Sequence, residues 1–401
     1  MKKTVVILFM ILFWNNSPAF PLGLNEIEIH GFASTGYMKS DGNNFLLPSK
    51  EGSFEFNEAG INFATSLADS LRIGLQFYSY DLGEIGNNDT KLDWAFLDYH
   101  WKDSLGIRLG KIKTPHGLYN EIQDYDMLRT SVLLPQSVYH KYFREIMISF
   151  EGAEIYGKIP MKSAGKLEYD LFAGTMNIES DGGIAKKIIS LNSMEFKDAR
   201  FDYAAGGRIK WRTPIDGLML AATAYQFDVT YKTEATAAPV TITIEMPESV
   251  ISVFSAEYSK GNLTLAGEYY RLNMDRTFTQ DMSALGMPNP PPVENNTVIE
   301  AYYGQISYRF TDWFEAGTYY SVYYPDKNDR DGANQVALGN PDYAGWQKDW
   351  ALSARFDITD FWLVKLELHV MNGAAMCVET DNPDGYEENW TLFAIKTTFN
   401  F

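Results

Sequence analysis

The chain has 401 residues, a formal net charge of −18 at pH 7, 15% aromatic residues and a single Cys. The excess of negative charge argues against a nucleic-acid partner, which requires a basic surface, and one Cys excludes a disulfide-stapled fold. After the N-terminal region, no segment holds 18 uninterrupted apolar residues. We therefore expect a chain that is soluble or that crosses a membrane as a closed barrel, which satisfies every backbone polar group without helices.

The first 19 residues have the pattern of a secretory signal peptide. Lys2 and Lys3 give a positive start, an apolar run covers residues 5–14, and Ser17-Pro18-Ala19 offers a small-x-small cleavage site. The apolar run is too short for a transmembrane helix, which needs about 20 apolar residues. The sequence thus predicts a cleaved signal peptide at 1–19 and a single folded unit at 20–401.

Alternation of apolar and polar residues with period 2 continues along the rest of the chain. Most of the alternating segments are long enough for a tilted strand to cross a bilayer. The pattern predicts sixteen strands, at residues 26–38, 53–66, 70–80, 91–101, 105–113, 144–157, 166–176, 203–213, 217–232, 249–259, 262–277, 297–310, 313–325, 347–357, 361–373 and 389–401.

The predicted connections alternate strictly between short and long. The short ones lie at residues 68–69, 102–104, 160–165, 214–216, 260–261, 311–312 and 359–360. The long ones lie at residues 39–52, 81–90, 114–143, 177–202, 233–248, 278–296, 326–346 and 374–388. Short periplasmic turns and long external loops are typical of outer-membrane barrels. The predicted fold is therefore all-β: a transmembrane antiparallel β-barrel of about sixteen strands, with both chain ends on the short-turn side.

The two faces of the predicted strands differ in polarity. Strand 361–373 has Leu366 on its apolar face and Lys365 on its polar face. Strand 217–232 has a continuous apolar face that includes Phe227. We expect the apolar faces to contact lipid and the polar faces to line a lumen. A soluble sandwich also alternates in this way, so the parity of the connections is the stronger signal.

Tryptophans lie near the ends of the predicted strands, where an indole ring can contact lipid and water together. Four lie within three residues of a short connection: Trp101, Trp211, Trp313 and Trp362. Three lie near long connections: Trp94, Trp350 and Trp390. This placement predicts an aromatic girdle at each rim.

Together these features resemble Gram-negative outer-membrane porins. The last strand places Phe393, Ile395, Phe399 and Phe401 on one face and ends the chain in Phe, as outer-membrane proteins do. The stretch Arg108 to Glu121 resembles a strand-to-loop segment of porin-like barrels, including the phosphate-selective class. The resemblance implies an outer-membrane location, contact with lipid and lipopolysaccharide, and a homotrimer. It also implies passive diffusion of small polar solutes or ions through a water-filled channel.

Charged residues at predicted inward positions are the candidates for the pore lining. The basic candidates are Arg72, Arg108, Arg208, Lys210, Arg212, Arg309, Arg355, Lys365 and Lys396, and the acidic ones are Glu268, Glu315 and Glu367. Charge along a pore wall selects ions by sign. The excess of bases predicts a weak preference for anions, whereas the acids between them argue against a dedicated phosphate channel.

The longest connection, 114–143, follows the fifth predicted strand, and in general porins the corresponding loop folds inward and narrows the pore. A barrel of about sixteen strands is too wide for its own side chains to fill. The charged candidates in or next to this loop are Lys113, His116, Glu121, Asp124, Asp126 and Arg129. Its apolar segment 132–135 can fix it to the wall, and an ordinary external loop is the alternative.

Catalytic and metal-binding patterns are absent from the sequence. Its five His residues show no metal-ligand spacing, and no Gly-x-Ser-x-Gly segment occurs. We expect no metal, no cofactor and no enzymatic activity. The alternatives to a general porin are a substrate-specific channel, for phosphate or a hydrophobic solute, and a secreted soluble β-rich protein that binds carbohydrate.

Overall fold

The computed structural model describes residues 27–180, 182–189 and 194–401. Within these ranges, sixteen antiparallel strands form one closed barrel in which each strand pairs with its neighbours in sequence and β16 pairs with β1. The predicted signal peptide at 1–19 lies outside the described residues. In the same ranges, no helix is both long and apolar enough to cross a membrane.

The strands are β1 (Glu28–Ser40), β2 (Phe56–Ala68), β3 (Leu71–Leu82), β4 (Thr90–Lys102), β5 (Leu105–Lys113), β6 (Ser149–Pro160), β7 (Lys166–Thr175), β8 (Met194–Arg212), β9 (Leu218–Ala235), β10 (Thr241–Lys260), β11 (Leu263–Asp281), β12 (Val293–Thr311), β13 (Phe314–Tyr324), β14 (Gln347–Thr359), β15 (Trp362–Gly373) and β16 (Asn389–Asn400). The connections contain three short helices, α1 (Arg144–Met147), α2 (Gly183–Ile189) and α3 (Ala333–Ala337), besides single 3-10 turns.

Pairing of the first and last strands closes the barrel. The register runs from Phe32 opposite Asn400 to Ser40 opposite Leu392, and Gly31 and Phe401 exchange two backbone hydrogen bonds of 3.0 Å. No strand edge is left open, which removes a site for aggregation. The prediction of a closed barrel of about sixteen strands is confirmed.

The predicted alternation of connection lengths is wrong at one place. The region 233–248, expected as a long loop, belongs mostly to β9 and β10, and only residues 236–240 connect them. The run Thr241-Ile-Thr-Ile244 alternates β-branched residues, which favour strands, and Thr241 pairs with Glu234 across the hairpin. Strands β8 to β12 have 18 to 20 residues, against 9 to 13 elsewhere. One side of the barrel therefore rises higher at the long-loop end.

The predicted faces are correct for β15 but inverted for β9. In β15, Lys365 is buried on the inside and Leu368 is exposed on the outside, as predicted. In β9 the apolar face, with Tyr225 and Phe227, is buried inside, while Leu220 is exposed outside. Alternation separates two faces without saying which one is internal. The inside of β9 is apolar because other protein segments, not water, cover it.

The tryptophans form one of the two predicted girdles clearly. Trp101, Trp211 and Trp313 are exposed on the outside near short turns, and Trp350 is exposed on β14. The prediction is wrong for Trp390, which is buried and packs against Phe45 with ring centroids 5.6 Å apart. It is also wrong for Trp94, which stacks on the inward Phe96. Both rings instead fill space inside the barrel.

Candidate pore and its inner loop

The connection between β5 and β6, residues 114–148, lies inside the barrel; we call it the inner loop. Leu133 near its middle is 1% exposed. The Asn120 amide holds the two ends of the loop together by donating to the backbone oxygens of Thr114 (2.9 Å) and Met147 (2.7 Å). The segment 144–147, predicted as the start of a strand, is instead helix α1 and still part of the inner loop. β6 begins only at Ser149.

A tight turn at Gly117 brings the inner loop against β11. Gly117 has a φ of +57°, and a Cβ there would lie 2.5 Å from the Tyr139 hydroxyl and 2.7 Å from the Glu268 carboxylate. Tyr139 accepts hydrogen bonds from the backbone N–H groups of Leu118 (2.9 Å) and Tyr119 (3.0 Å) and donates to Glu268. Glu268 also accepts from the Leu118 N–H at 2.9 Å. These bonds satisfy a carboxylate that is only 3% exposed.

On β13 and β15, two further carboxylates bind the next part of the inner loop. Glu367 accepts hydrogen bonds from the backbone N–H groups of Val132 and Leu133, both at 2.8 Å. Glu315 accepts one from the Thr130 hydroxyl. Charge-assisted hydrogen bonds of this kind are roughly twice as strong as neutral ones, so they fix the apolar segment 132–135 to the wall.

Asp126 is the centre of a buried ionic cluster between the inner loop and β15–β16. Its carboxylate lies 2.7 Å from Arg129, 2.8 Å from Lys396 and 3.5 Å from Lys365, and it accepts a hydrogen bond of 2.7 Å from Thr398. Burial alone would raise the pKa of Asp126, but the neighbouring cations outweigh it and hold that pKa well below its usual range. The aspartate is therefore charged at neutral pH.

The inner loop is also bonded to the opposite wall. Lys141 lies 3.0 Å from Glu58 of β2, and Arg144 lies 3.0 Å from Asp93 of β4. Arg144 also forms an ion pair of 2.9 Å with Asp124, within the loop. Strands β2 and β4 lie across the barrel from β11 and β13. The inner loop therefore crosses the lumen from wall to wall.

Each of the nine predicted basic lining residues forms an ion pair with a carboxylate. The pairs are Arg72 with Glu28 (2.8 Å), Arg108 with Asp98 (3.1 Å) and Glu154 (2.8 Å), Arg208 with Asp170 (2.9 Å) and Glu121, Lys210 with Glu121 (3.8 Å), Arg212 with Glu168 (2.9 Å), Arg309 with Glu315 (3.0 Å) and Asp357 (2.8 Å), Arg355 with Asp357 (2.8 Å), Lys365 with Asp126 (3.5 Å), and Lys396 with Glu58 (3.0 Å) and Asp126 (2.8 Å). Lys113 forms a similar pair with Asp124 at 2.9 Å. The positive charge of these bases is locally compensated.

Sequence reasoning missed several of these partners. Glu154 lies directly opposite Arg108 in the β5–β6 register, and Asp170 lies directly opposite Arg208 in the β7–β8 register. The cross-strand positions follow from the short turns, so register counting would have found both carboxylates. Glu58 was missed because its partner Lys396 is on β16, which is separated from β2 by β1, and its other partner Lys141 is on the inner loop, whose path no alternation pattern gives.

Solved outer-membrane proteins superpose on this barrel over nearly its whole length. OmpF of Salmonella typhi, solved with daunomycin, is 12% identical with a TM-score of 0.56, covering 94% of this chain and 97% of that one. An anion-selective porin of Comamonas acidovorans is 11% identical (TM-score 0.52, covering 94% and 99%). The channel DcaP of Acinetobacter baumannii is 10% identical (0.52, 94% and 97%). The chain has the porin fold. No protein-family model matches the sequence, and a search of curated proteins finds no match.

The porin-fold barrel has open space on the short-turn side of the inner loop. A cavity of about 300 Å³ separates the loop from β10–β14, and its lining includes Tyr119, Glu257 and Ser307. The Gln305 amide donates to the Tyr119 hydroxyl across it at 2.7 Å. A second cavity, of about 490 Å³, opens at the ends of β12–β15 beside Arg309. Polar groups line both spaces, so they can hold water and small polar solutes.

His116 lies in the porin-fold barrel where the inner loop meets β9 and β11, and it is completely buried. The rings of Tyr139, Tyr225 and Tyr270 surround it at centroid distances of 5.8 to 6.1 Å, and its Nδ1 is 3.1 Å from the Tyr225 hydroxyl. Burial, and then the charge of Arg208, lower the pKa of His116 to about 3. The imidazole is therefore neutral in the docked loop.

We expect His116 to weaken the docked inner loop in acid. Its pKa falls from an ordinary 6.5 to about 3 on folding. The stability it contributes is complete above pH 6.5 and is lost as the pH falls toward 3. The measurement is the difference in unfolding free energy between the natural protein and His116→Phe, followed from pH 8 to pH 4, because other titrating groups cancel in that difference. A difference that does not change with pH would contradict this prediction.

Within residues 27–180, 182–189 and 194–401, no group of three or more His, Cys, Asp or Glu residues is placed to hold a metal ion. The buried polar groups of the porin-fold barrel bind one another and the inner loop instead. Another such network joins His369 to Asp349 (3.0 Å) and Glu367 (3.0 Å), with Tyr319 donating to Asp349 at 3.0 Å.

Proposed function

We propose that this chain is an outer-membrane porin, which conducts small polar solutes and ions by passive diffusion and has no catalytic residue. The observation that carries the proposal is the inner loop, which crosses a closed barrel and is bonded to β2 and β4 on one side and to β11 and β13 on the other. Such a loop narrows a wide lumen to a size filter. The mature protein would begin after the signal peptide at 1–19, with the short turns in the periplasm and the long loops outside the cell.

The outer surface supports a location in lipid. Phe254, Leu352 and Val370 point outward from β10, β14 and β15 and are each more than half exposed. Exposed apolar side chains over a whole barrel wall are unfavourable in water and mark a surface that contacts lipid or protein. The Trp101 and Trp313 rings at the short-turn end suit the headgroup region. We propose lipid and lipopolysaccharide as the neighbours of this wall.

We propose that the protein assembles as a homotrimer. Vibrio cholerae OmpT, another outer-membrane protein of similar fold, has been solved in a trimer form (11% identity, TM-score 0.53, covering 94% of this chain and 99% of that one). The outer face of β1–β4 offers a contact surface, because Ile73, Phe77 and Leu92 there are apolar and exposed. Cross-linking in lipid followed by gel electrophoresis tests the trimer.

We propose at most a weak preference for anions. Every predicted basic lining residue has a carboxylate within 4 Å, and paired charges produce little net field along a pore. The same pairing argues against the phosphate-selective alternative, for which unpaired bases at the narrowest point would be needed. The secreted carbohydrate-binding alternative does not explain an apolar outer wall.

The proposed function predicts discrete current steps when the purified mature protein inserts into a planar lipid bilayer. In a salt gradient we expect a reversal potential close to zero, shifted slightly toward the value for anions, because the wall charges are compensated. Addition of inorganic phosphate should not block the current. A protein that remains dissolved without detergent and produces no steps would refute the pore, and a strongly cation-selective reversal potential would refute the anion preference alone.

A further inference from the structure

A cavity of about 240 Å³ lies on the other side of the inner loop, toward the long-loop end. Its floor is the apolar side of α1, with Phe143, Ile146 and Met147, and Ile184 of α2 lies beside them. Its wall is the inner face of β9–β12, which rises higher than the rest of the barrel. The β9 part of this wall, with Phe227, is the face that the alternation pattern assigned to lipid. An apolar cavity of about 150 Å³ lined by Leu, Ile and Phe stays dry and binds benzene, and apart from Arg276 and Lys187 the side chains that line the present cavity are apolar or aromatic.

One strand supplies a row of the side chains that line the cavity. Tyr270, Leu272, Met274, Arg276 and Phe278 follow one another on the inner face of β11. The first and the last of these residues are eight positions apart, so the row extends over about 26 Å of strand at 3.3 Å per residue. An extended apolar chain can lie along this row of side chains.

Arg276 is the unusual member of this row. Its Nη2 donates to the Thr297 hydroxyl, while its Nε is buried without a hydrogen-bond partner. In the described part of the chain, no carboxylate lies within 4 Å of it, unlike the nine basic residues discussed above. Lys187, the other charged lining residue, donates to the backbone oxygens of Cys377 (2.9 Å) and Ala375 (3.4 Å). Arg276 thus brings a positive charge without a carboxylate partner to a mainly apolar lining, and an anionic ligand would compensate that charge.

We propose that this cavity binds a monoanionic amphiphile, a carboxylate on an unbranched apolar chain. The carboxylate accepts hydrogen bonds from Arg276 near the outer end, and the chain extends inward along Met274 and Leu272 toward Tyr270. Burial of the chain against apolar side chains provides most of the affinity, and the guanidinium provides selectivity for the anion. The site goes beyond the proposed passive pore, and ligand binding here does not require that the barrel conducts.

The test is calorimetric titration of octanoate into the full barrel reconstituted in lipid nanodiscs, with empty nanodiscs as the blank. Free detergent is avoided because it would compete for the cavity. We expect saturable binding of one octanoate, which Arg276→Gln weakens about tenfold or more because a charge-assisted hydrogen bond is lost. The matched control is Arg271→Gln. Arg271 lies on the outer face of the same strand and bonds only Asn273 among the described contacts, so its loss should leave binding unchanged.

Two further titrations separate the parts of the proposal. Octanol should bind the natural protein more weakly than octanoate does, and the difference should disappear in Arg276→Gln. Leu272→Trp, which fills the cavity, should abolish binding of both. No saturable binding, or equal effects of Arg276→Gln and Arg271→Gln, would overturn the site. The titration measures binding and not current. The pore proposal is therefore tested separately, by the current steps in a planar bilayer.

Discussion

Asp126→Asn is expected to release the inner loop and to destabilise the barrel by about 3 kcal/mol or more, because it leaves buried cations without their counter-ion. Lys365 has no other ion pair in the described part of the chain, and it is completely buried. Lys396 keeps Glu58 as a partner. The asparagine has nearly the same shape as the aspartate, so charge is the property that changes. Urea unfolding in lipid, followed by heat-modifiable gel mobility, measures the loss of stability.

Protease accessibility distinguishes release of the loop from a general loss of stability. In the folded Asp126→Asn barrel, trypsin should cleave after Arg129, which is protected in the natural protein because it pairs with Asp126 at 2.7 Å. The double variant Asp126→Asn with Lys365→Met should recover part of the stability, since it removes the unpaired charge. Asp216→Asn is the control. Its ion pair with Lys260 is highly exposed, and such pairs contribute little. An unchanged unfolding curve for Asp126→Asn would refute the anchoring role.

The sequence was sufficient to predict the barrel because each strand repeats the same simple constraint. In β15, alternation alone placed Lys365 and Glu367 inside and Leu368 outside, and the short turn at 360–361 set the register of the hairpin. Sixteen such segments with closely spaced turns leave few other topologies. The same local reasoning selected nine basic residues as lining candidates, and each of them forms an ion pair with a carboxylate.

The contacts of the inner loop could not be predicted from local sequence patterns. Its length and charge marked it as unusual, but its partners are on strands up to 272 residues away in sequence, as for Thr398 and Asp126. Such contacts depend on the path of the loop through the lumen. The predicted orientation of the β9 faces was wrong for a related reason. Phe227 and Tyr231 alternate as lipid-facing residues do, but they point into the barrel, where they line one cavity together with Met147 of α1.

Ser307→Trp should reduce the single-channel conductance by about half or more, since pore diameter limits passage. Ser307 points inward from β12 and lines the cavity of about 300 Å³ between the inner loop and the wall. If solutes pass the loop on this side, an indole ring there obstructs the route that the polar lining provides. The measurement is the size of the current steps in a planar bilayer, together with the rate of sugar-driven liposome swelling.

Gly304→Trp provides the matched control for this route. Gly304 lies three residues earlier on the same strand, is exposed on its outer face, and a Cβ there would meet nothing within 4 Å. The added indole would lie in lipid, so insertion and conductance should remain normal. If Ser307→Trp conducts as well as Gly304→Trp, the passage must run elsewhere, and the apolar cavity at Arg276 is another space beside the inner loop that a variant can test. In that case Leu272→Trp, and not Ser307→Trp, should reduce the current, which would make the amphiphile site part of the conduction path.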